Sequence, residues 1–172
     1  MRGIVIVLVL GYFPLIGGCI TTATRHITVL KPLNLDIFDG QQIVIVEVTQ
    51  RGPATIEEAN LFSRRLVQRL DETNQFSEVN LQQNTARTAN LLVQCDIVAI
   101  RRVHINKRKI GGGLVGRASI DVHVRLISPL FGSIVGEVTV KGLSSGGTAF
   151  SGTTEDAMEK ATEAIVDYVM GK

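Results

Sequence analysis

The chain predicts a single α+β domain: a mainly antiparallel sheet with two helices packed on one face, in the order β-α-β-β-β-β-α. Three observations carry this prediction. Ala118, Ile120, Val122, Val124 and Leu126 alternate with Arg117, Ser119, Asp121, His123 and Arg125, which is the period of a half-buried strand. Two other segments, 56–70 and 157–168, repeat apolar or small residues at helical spacing instead. Turn-forming residues separate these segments, and no internal repeat or shift in composition divides the 172 residues into a second domain.

Taken in order, the domain opens with Ile43-Val44-Ile45-Val46-Glu47-Val48, a near-continuous apolar run suited to a strand covered on both faces. Arg51-Gly52-Pro53 turns the chain. Thr55 and Glu58 then form a capping-box pair ahead of Ile56, Ala59, Phe62, Leu66 and Leu70, which share one helical face. Arg64, Arg65, Gln68 and Arg69 read as its solvated flank. The helix is expected to end near Glu72, with a turn at Thr73-Asn74-Gln75 and a short strand over 76–81.

The next strand, 91–105, places Leu91, Val93, Cys95, Ile97 and Ala99 on one side and Gln94 and Asp96 on the other. Arg101 interrupts the inward series before Val103 and Ile105, which predicts a bulge or an exposed extension. The strand over 118–126 follows. A turn near Pro129-Leu130-Phe131-Gly132 leads into 134–141, with Glu137, Thr139 and Lys141 outward, completing an antiparallel meander. A loop rich in Gly, Ser and Thr, 142–153, precedes the last helix. Thr153 or Thr154 caps it, and Glu155 and Asp156 sit where the helix dipole is positive. Ala157, Ala161, Ala164, Ile165 and Tyr168 form its packing stripe, small enough for close approach to a sheet.

Ahead of the domain the sequence has a different character. Met1-Arg2 give a positive start, 3–16 is apolar, and residues 16–19 read Ile-Gly-Gly-Cys. Small residues directly before a cysteine at the end of a short apolar run are the arrangement of a bacterial lipoprotein signal. The apolar run is shorter than the ~20 residues a membrane-spanning helix needs, and Gly11 and Pro14 interrupt it. The expected organisation is therefore a signal peptide at 1–18, a lipidated Cys19 with a tether through 42, and the α+β domain over 43–172. Fully extended, that tether reaches about 75 Å at ~3.3 Å per residue. Two or more acyl chains such as palmitate on Cys19 hold a protein stably at a membrane, where one chain binds only marginally. Ile20, in place of an Asp that commonly retains lipoproteins at the inner membrane, points to the outer membrane with the domain facing the periplasm.

Composition narrows the function. The formal net charge is +2, which gives no general reason to expect nucleic acid. The cysteines number two, so with Cys19 lipidated no disulfide is left for the domain. Gly111, Gly113 and Gly116 match a dinucleotide-binding spacing, and Gly111 and Gly116 a phosphate-loop separation. Both motifs require a helix afterwards to point its amides at phosphate. Here a strand follows, Arg117 stands at the phosphate-loop Lys and Ala118 at the Mg²⁺-binding hydroxyl. No nucleotide and no other cofactor is expected.

Arg101, Arg102, Lys107, Arg108, Lys109 and Arg117 cluster around the same hairpin connection, with no acid between Ile97 and Ile120. Such a cluster discourages edge-to-edge aggregation, and it also suits contact with an anionic lipid surface. His104 and His123, with Asp121, lack the further ligand in fixed geometry that a metal needs, so no metal site is assigned. Cys95 lies on the inward face and reads as a small buried hydrophobe. Ser144, Ser145 and Ser151 have no nucleophile context. No catalytic residue is assigned, and the chain reads as a non-enzyme.

Several stretches resemble a family of bacterial lipoproteins catalogued as domain of unknown function 4410. They are Phe76-Ser77-Glu78-Val79, Ala89-Asn90-Leu91-Leu92-Val93, Gly116-Arg117-Ala118, Val122-His123-Val124-Arg125-Leu126-Ile127 and the Ser-Ser-Gly-Gly loop at 144–147. Members often carry Ala-Asp where this chain has Ala89-Asn90, and Asp-Ala-Thr-Gly near its 128–132. The resemblance implies a small α+β envelope lipoprotein and transfers no catalytic residue. The expected role is a non-enzymatic outer-membrane lipoprotein whose periplasm-facing domain binds a protein or another envelope component. The alternative is a lipoprotein subunit of a secretion or polysaccharide-export assembly.

Overall fold

The strict alternation of 118–126 places that strand at the middle of a sheet that runs through the whole domain. In a computed structural model, which describes residues 22–34, 42–81, 89–103, 116–146 and 152–172, the elements are β1 (Thr24–Lys31), β2 (Ile43–Gln50), α1 (Ile56–Asp71), β3 (Glu78–Leu81), β4 (Leu91–Arg101), β5 (Ser119–Ser128), β6 (Ser133–Leu143) and α2 (Thr154–Val169). The six strands form one mixed sheet in the order β1-β6-β5-β4-β2-β3. Ladders from β1 through β4 are antiparallel, and β2 runs parallel to both β3 and β4. The expected β-α-β-β-β-β-α order is the order found from residue 43 onward, and both helices cover the same face.

That face holds the core. Phe62, Leu66 and Leu70 of α1 and Ala161, Ala164 and Ile165 of α2 are buried against Val93, Cys95, Ile97, Val122, Val124, Leu126, Val138 and Val140 of the sheet. Small residues let α2 lie directly on β6. A Cβ added at Gly142 would stand 2.0 Å from the Ala157 carbonyl oxygen, so only glycine fits beneath this helix. Both helices begin with a reciprocal capping box, Thr55 with Glu58 and Thr153 with Asp156, which satisfies amides that would otherwise lack partners.

Four expectations need correction. The segment 19–42, read as a tether, contains β1. Its residues Thr24–Val29 pair with Leu143–Val138 of β6, and Arg25 reaches Glu163 and Asp167 of α2. An edge strand buries little, so Ile27, Val29 and Leu30 stay exposed and give a weak apolar signal. In β4 the irregularity falls between Ile97 and Ala99, earlier than Arg101, and it turns Ile100 inward in place of Ala99. The bulge makes room for the turn before α1. Arg51 donates its amide to the Ile97 carbonyl at 3.1 Å, and a Cβ on Gly52 would meet the Val98 oxygen at 2.3 Å. Ile56 is exposed on the first turn of α1 rather than packed. Finally, Arg65 and Arg69 are not merely solvated: both bridge to α2, Arg65 to Glu155 and Glu159, and Arg69 to Glu159.

Candidate functional site

Among the described residues, two surfaces carry the sequence candidates: the sheet face that neither helix covers and the end of the sheet where basic residues gather. On the uncovered face, alternation puts Asp96, Asp121, His123, Arg125, Glu137 and Lys141 side by side, and the register brings each within reach of a partner directly opposite or diagonally across. His123 Nε2 meets Glu137 Oε1 at 2.9 Å, and Lys141 lies 3.3 Å from Asp121. Gln94 donates to Glu47 at 3.0 Å. Asp96 is the centre of the group. It is 2% exposed, accepts from the Thr49 hydroxyl, and lies 3.1 Å from Arg125 and 3.2 Å from Arg51. A carboxylate removed from water this far is tolerable only with cations and donors around it.

The basic end is less free than its sequence suggests. Arg102 forms a two-pronged bond to Glu58, with Nε at 2.7 Å and Nη2 at 2.5 Å, and donates to the Pro53 carbonyl at 2.7 Å. The guanidinium holds the Glu58 carboxyl below its ordinary pKa, against an opposing push from partial burial. Arg117 donates to the carbonyls of Ser144, at 2.9 Å, and Thr22. Arg101 is exposed on the last position of β4. Of the predicted surface cations, one thus pins the loop into α1, one clamps the start of β1, and one faces solvent. Lys107, Arg108 and Lys109 lie outside the described residues, as do Cys19, His104 and Ser151.

The remaining sequence candidates have structural settings. Cys95 is fully buried, and burial pushes its thiol far above the ordinary range. Ser144 is fully buried too: its hydroxyl accepts from the Ala118 amide at 2.9 Å, while its own amide bonds the Ala118 carbonyl at 3.0 Å. Gly116-Arg117-Ala118 leads into β5, so a strand occupies the place of a phosphate-binding helix. Among the described residues, no three His, Cys, Asp or Glu side chains converge as a metal site, and no helix is long and apolar enough to cross a membrane. Sequence reading missed the Asp96 cluster as a unit. Its signal was present as an acid on a strand flanked by apolar residues, but its partners Thr49 and Arg125 come from other strands and Arg51 from the turn after β2.

No protein-family model matches the sequence, and no curated protein matches it. Solved structures do match. The PelC dodecamer from Paraburkholderia phytofirmans is similar over 86% of this chain and 97% of its own, at 15% identity and a TM-score of 0.56. This chain has that fold. A Xanthomonas campestris protein of the domain-of-unknown-function 330 family is similar at 10% identity, covering 83% of this chain and 86% of that one, with a TM-score of 0.49. Lipoprotein GNA1162 from Neisseria meningitidis covers 78% of this chain and 100% of its own, at 8% identity and a TM-score of 0.43.

Proposed function

We propose that the protein is a bacterial outer-membrane lipoprotein, anchored through Cys19, whose periplasm-facing domain is a non-enzymatic module for binding a protein of the cell envelope. The observation that carries this reading is the Ile-Gly-Gly-Cys sequence at 16–19, set only a few residues ahead of a folded sheet. The domain's polar chemistry agrees with it. Asp96, Glu58, His123 and Asp121 each face a structural partner, and Cys95 is enclosed in the core. These groups stabilise a fold, whereas catalysis requires titratable groups converging on a cleft.

The test is fractionation. The wild-type protein is expected in the outer-membrane fraction, and Cys19→Ala is expected to leave it. A Cys19→Ala protein that stays in that fraction at the wild-type level contradicts the reading.

A second reading, a lipoprotein subunit of a secretion or polysaccharide-export assembly, is favoured by one feature of the sheet. The edge strand β1 exposes Ile27, Val29 and Leu30, and an open apolar edge suits pairing with another copy. A fold similar to a protein described as a dodecamer adds support. The size of the detergent-extracted protein decides: a closed oligomer supports the subunit reading, and a monomer supports a solitary interaction module.

A further inference from the structure

The incorporation of 24–31 into the sheet leaves residues 20–23 as the stretch between Cys19 and the first strand. Thr24 pairs with Leu143, Leu143 with Ser119, and Ser119 with Arg101, so these residues form one row at one end of the sheet. Arg117 clamps the Thr22 carbonyl beside that row. The first turns of both helices lie at the same end, because Arg102 binds Glu58 of α1 and Gly142 lies beneath Ala157 of α2. From Cys19 to Thr22 the chain is three residues long, which spans at most about 11 Å. The opposite end of the β5–β6 hairpin lies about 30 Å away along the strands. There the turn displays Leu130, 81% exposed, and Phe131, 68% exposed.

Resting on the proposed lipidation of Cys19, we propose that this short link holds the Arg101–Ser119–Leu143 end of the domain against the bilayer surface and presents the Leu130–Phe131 tip away from it. The occupant of the near end is the phospholipid headgroup layer in which the Cys19 lipid is embedded. Charge is compatible with that contact. Arg101 is exposed there, Glu58 faces Arg102 and Glu155 faces Arg65, while Glu57 lies on the first turn of α1. An apolar hairpin tip is otherwise the natural lipid-seeking feature of the molecule, so the two ends make opposite predictions.

The test uses the full lipidated protein in vesicles of phosphatidylethanolamine and phosphatidylglycerol that contain a nitroxide lipid at headgroup depth. An environment-sensitive fluorophore is attached at Arg101→Cys, Glu57→Cys or Leu130→Cys, each checked for a wild-type circular dichroism spectrum. Emission at 101 and 57 is expected to be quenched, with little loss at 130. Equal quenching at all positions, or greater quenching at 130, overturns the proposed orientation. Inserting a long Gly/Ser spacer between Cys19 and Thr22 is expected to relieve the quenching at 101 and 57; quenching that persists with the spacer also overturns it. Intact mass separates the two claims. A protein without acyl groups refutes the lipoprotein reading, whereas an acylated protein quenched at 130 refutes the orientation alone.

Discussion

Along β5, Val122, Val124 and Leu126 disappear beneath the helices, while His123 and Arg125, one residue apart from them, meet Glu137 and Asp96 on the uncovered face. The same strand therefore supplies two kinds of stabilisation. Under the helices it is non-directional and grows with the apolar area removed from water. On the open face it is pairwise: each charge depends on one or two named partners, and most of those pairs are exposed enough to contribute little. Asp96 is the exception, because it is as buried as the core residues beside it. Among the described charges of the open face, loss of this carboxylate is therefore expected to cost the most.

The largest effect is expected from the covered face. Phe62→Ala removes a fully buried ring between α1 and the sheet and should cost about 4 kcal/mol in denaturant unfolding. On the open face, Asp96→Ala leaves Arg125 and the Thr49 hydroxyl without their acceptor. It should cost about 2 kcal/mol, less than a closed buried pair because Arg51 is largely in water. Asp121→Ala, which breaks only the exposed pair with Lys141, should change stability by less than about 0.5 kcal/mol. Equal losses for Asp96 and Asp121 would break the distinction drawn between them.

Much of this division was legible in the sequence. Period-two alternation in 118–126 sorted β5 correctly between its two faces, and the capping-box spacing at Thr55 and Glu58 located the start of α1. What escaped was information held between segments. β1 was illegible because an edge strand buries few side chains and is held by its ladder to β6 and by Arg25. The bulge between Ile97 and Ala99 answers to the Arg51-Gly52-Pro53 turn packed on it, which no local pattern in β4 records. Cations that read as one surface cluster also separated on folding, since Arg102 and Arg117 found internal acceptors.

Smaller effects sharpen the picture at the end of the sheet that carries Arg102. Thr55→Ala should cost about 1 kcal/mol through the lost cap. The Glu58–Arg102 pair contributes a pH-dependent increment of at most about 1 kcal/mol. The folded-state pKa of Glu58 lies below its ordinary 4.5, so this increment is present above that value and is lost as pH falls through the depressed one. Arg102→Ala should accordingly lower stability at pH 7, with the gap narrowing in strong acid to what the hydrogen bond to the Pro53 carbonyl contributes. A constant gap down to the lowest pH would show that Arg102 acts through the Pro53 carbonyl alone. Smallest of all, a thiol-reactive probe should leave Cys95 unlabelled in the native protein and label it only on unfolding.

The most direct test of the central claim is the intact mass of the full-length protein extracted from bacterial membranes. The expected polypeptide begins at Cys19 and carries the added mass of a diacylglyceryl group, with or without a further acyl chain. A polypeptide that begins elsewhere, or that begins at Cys19 with no added mass, contradicts that claim.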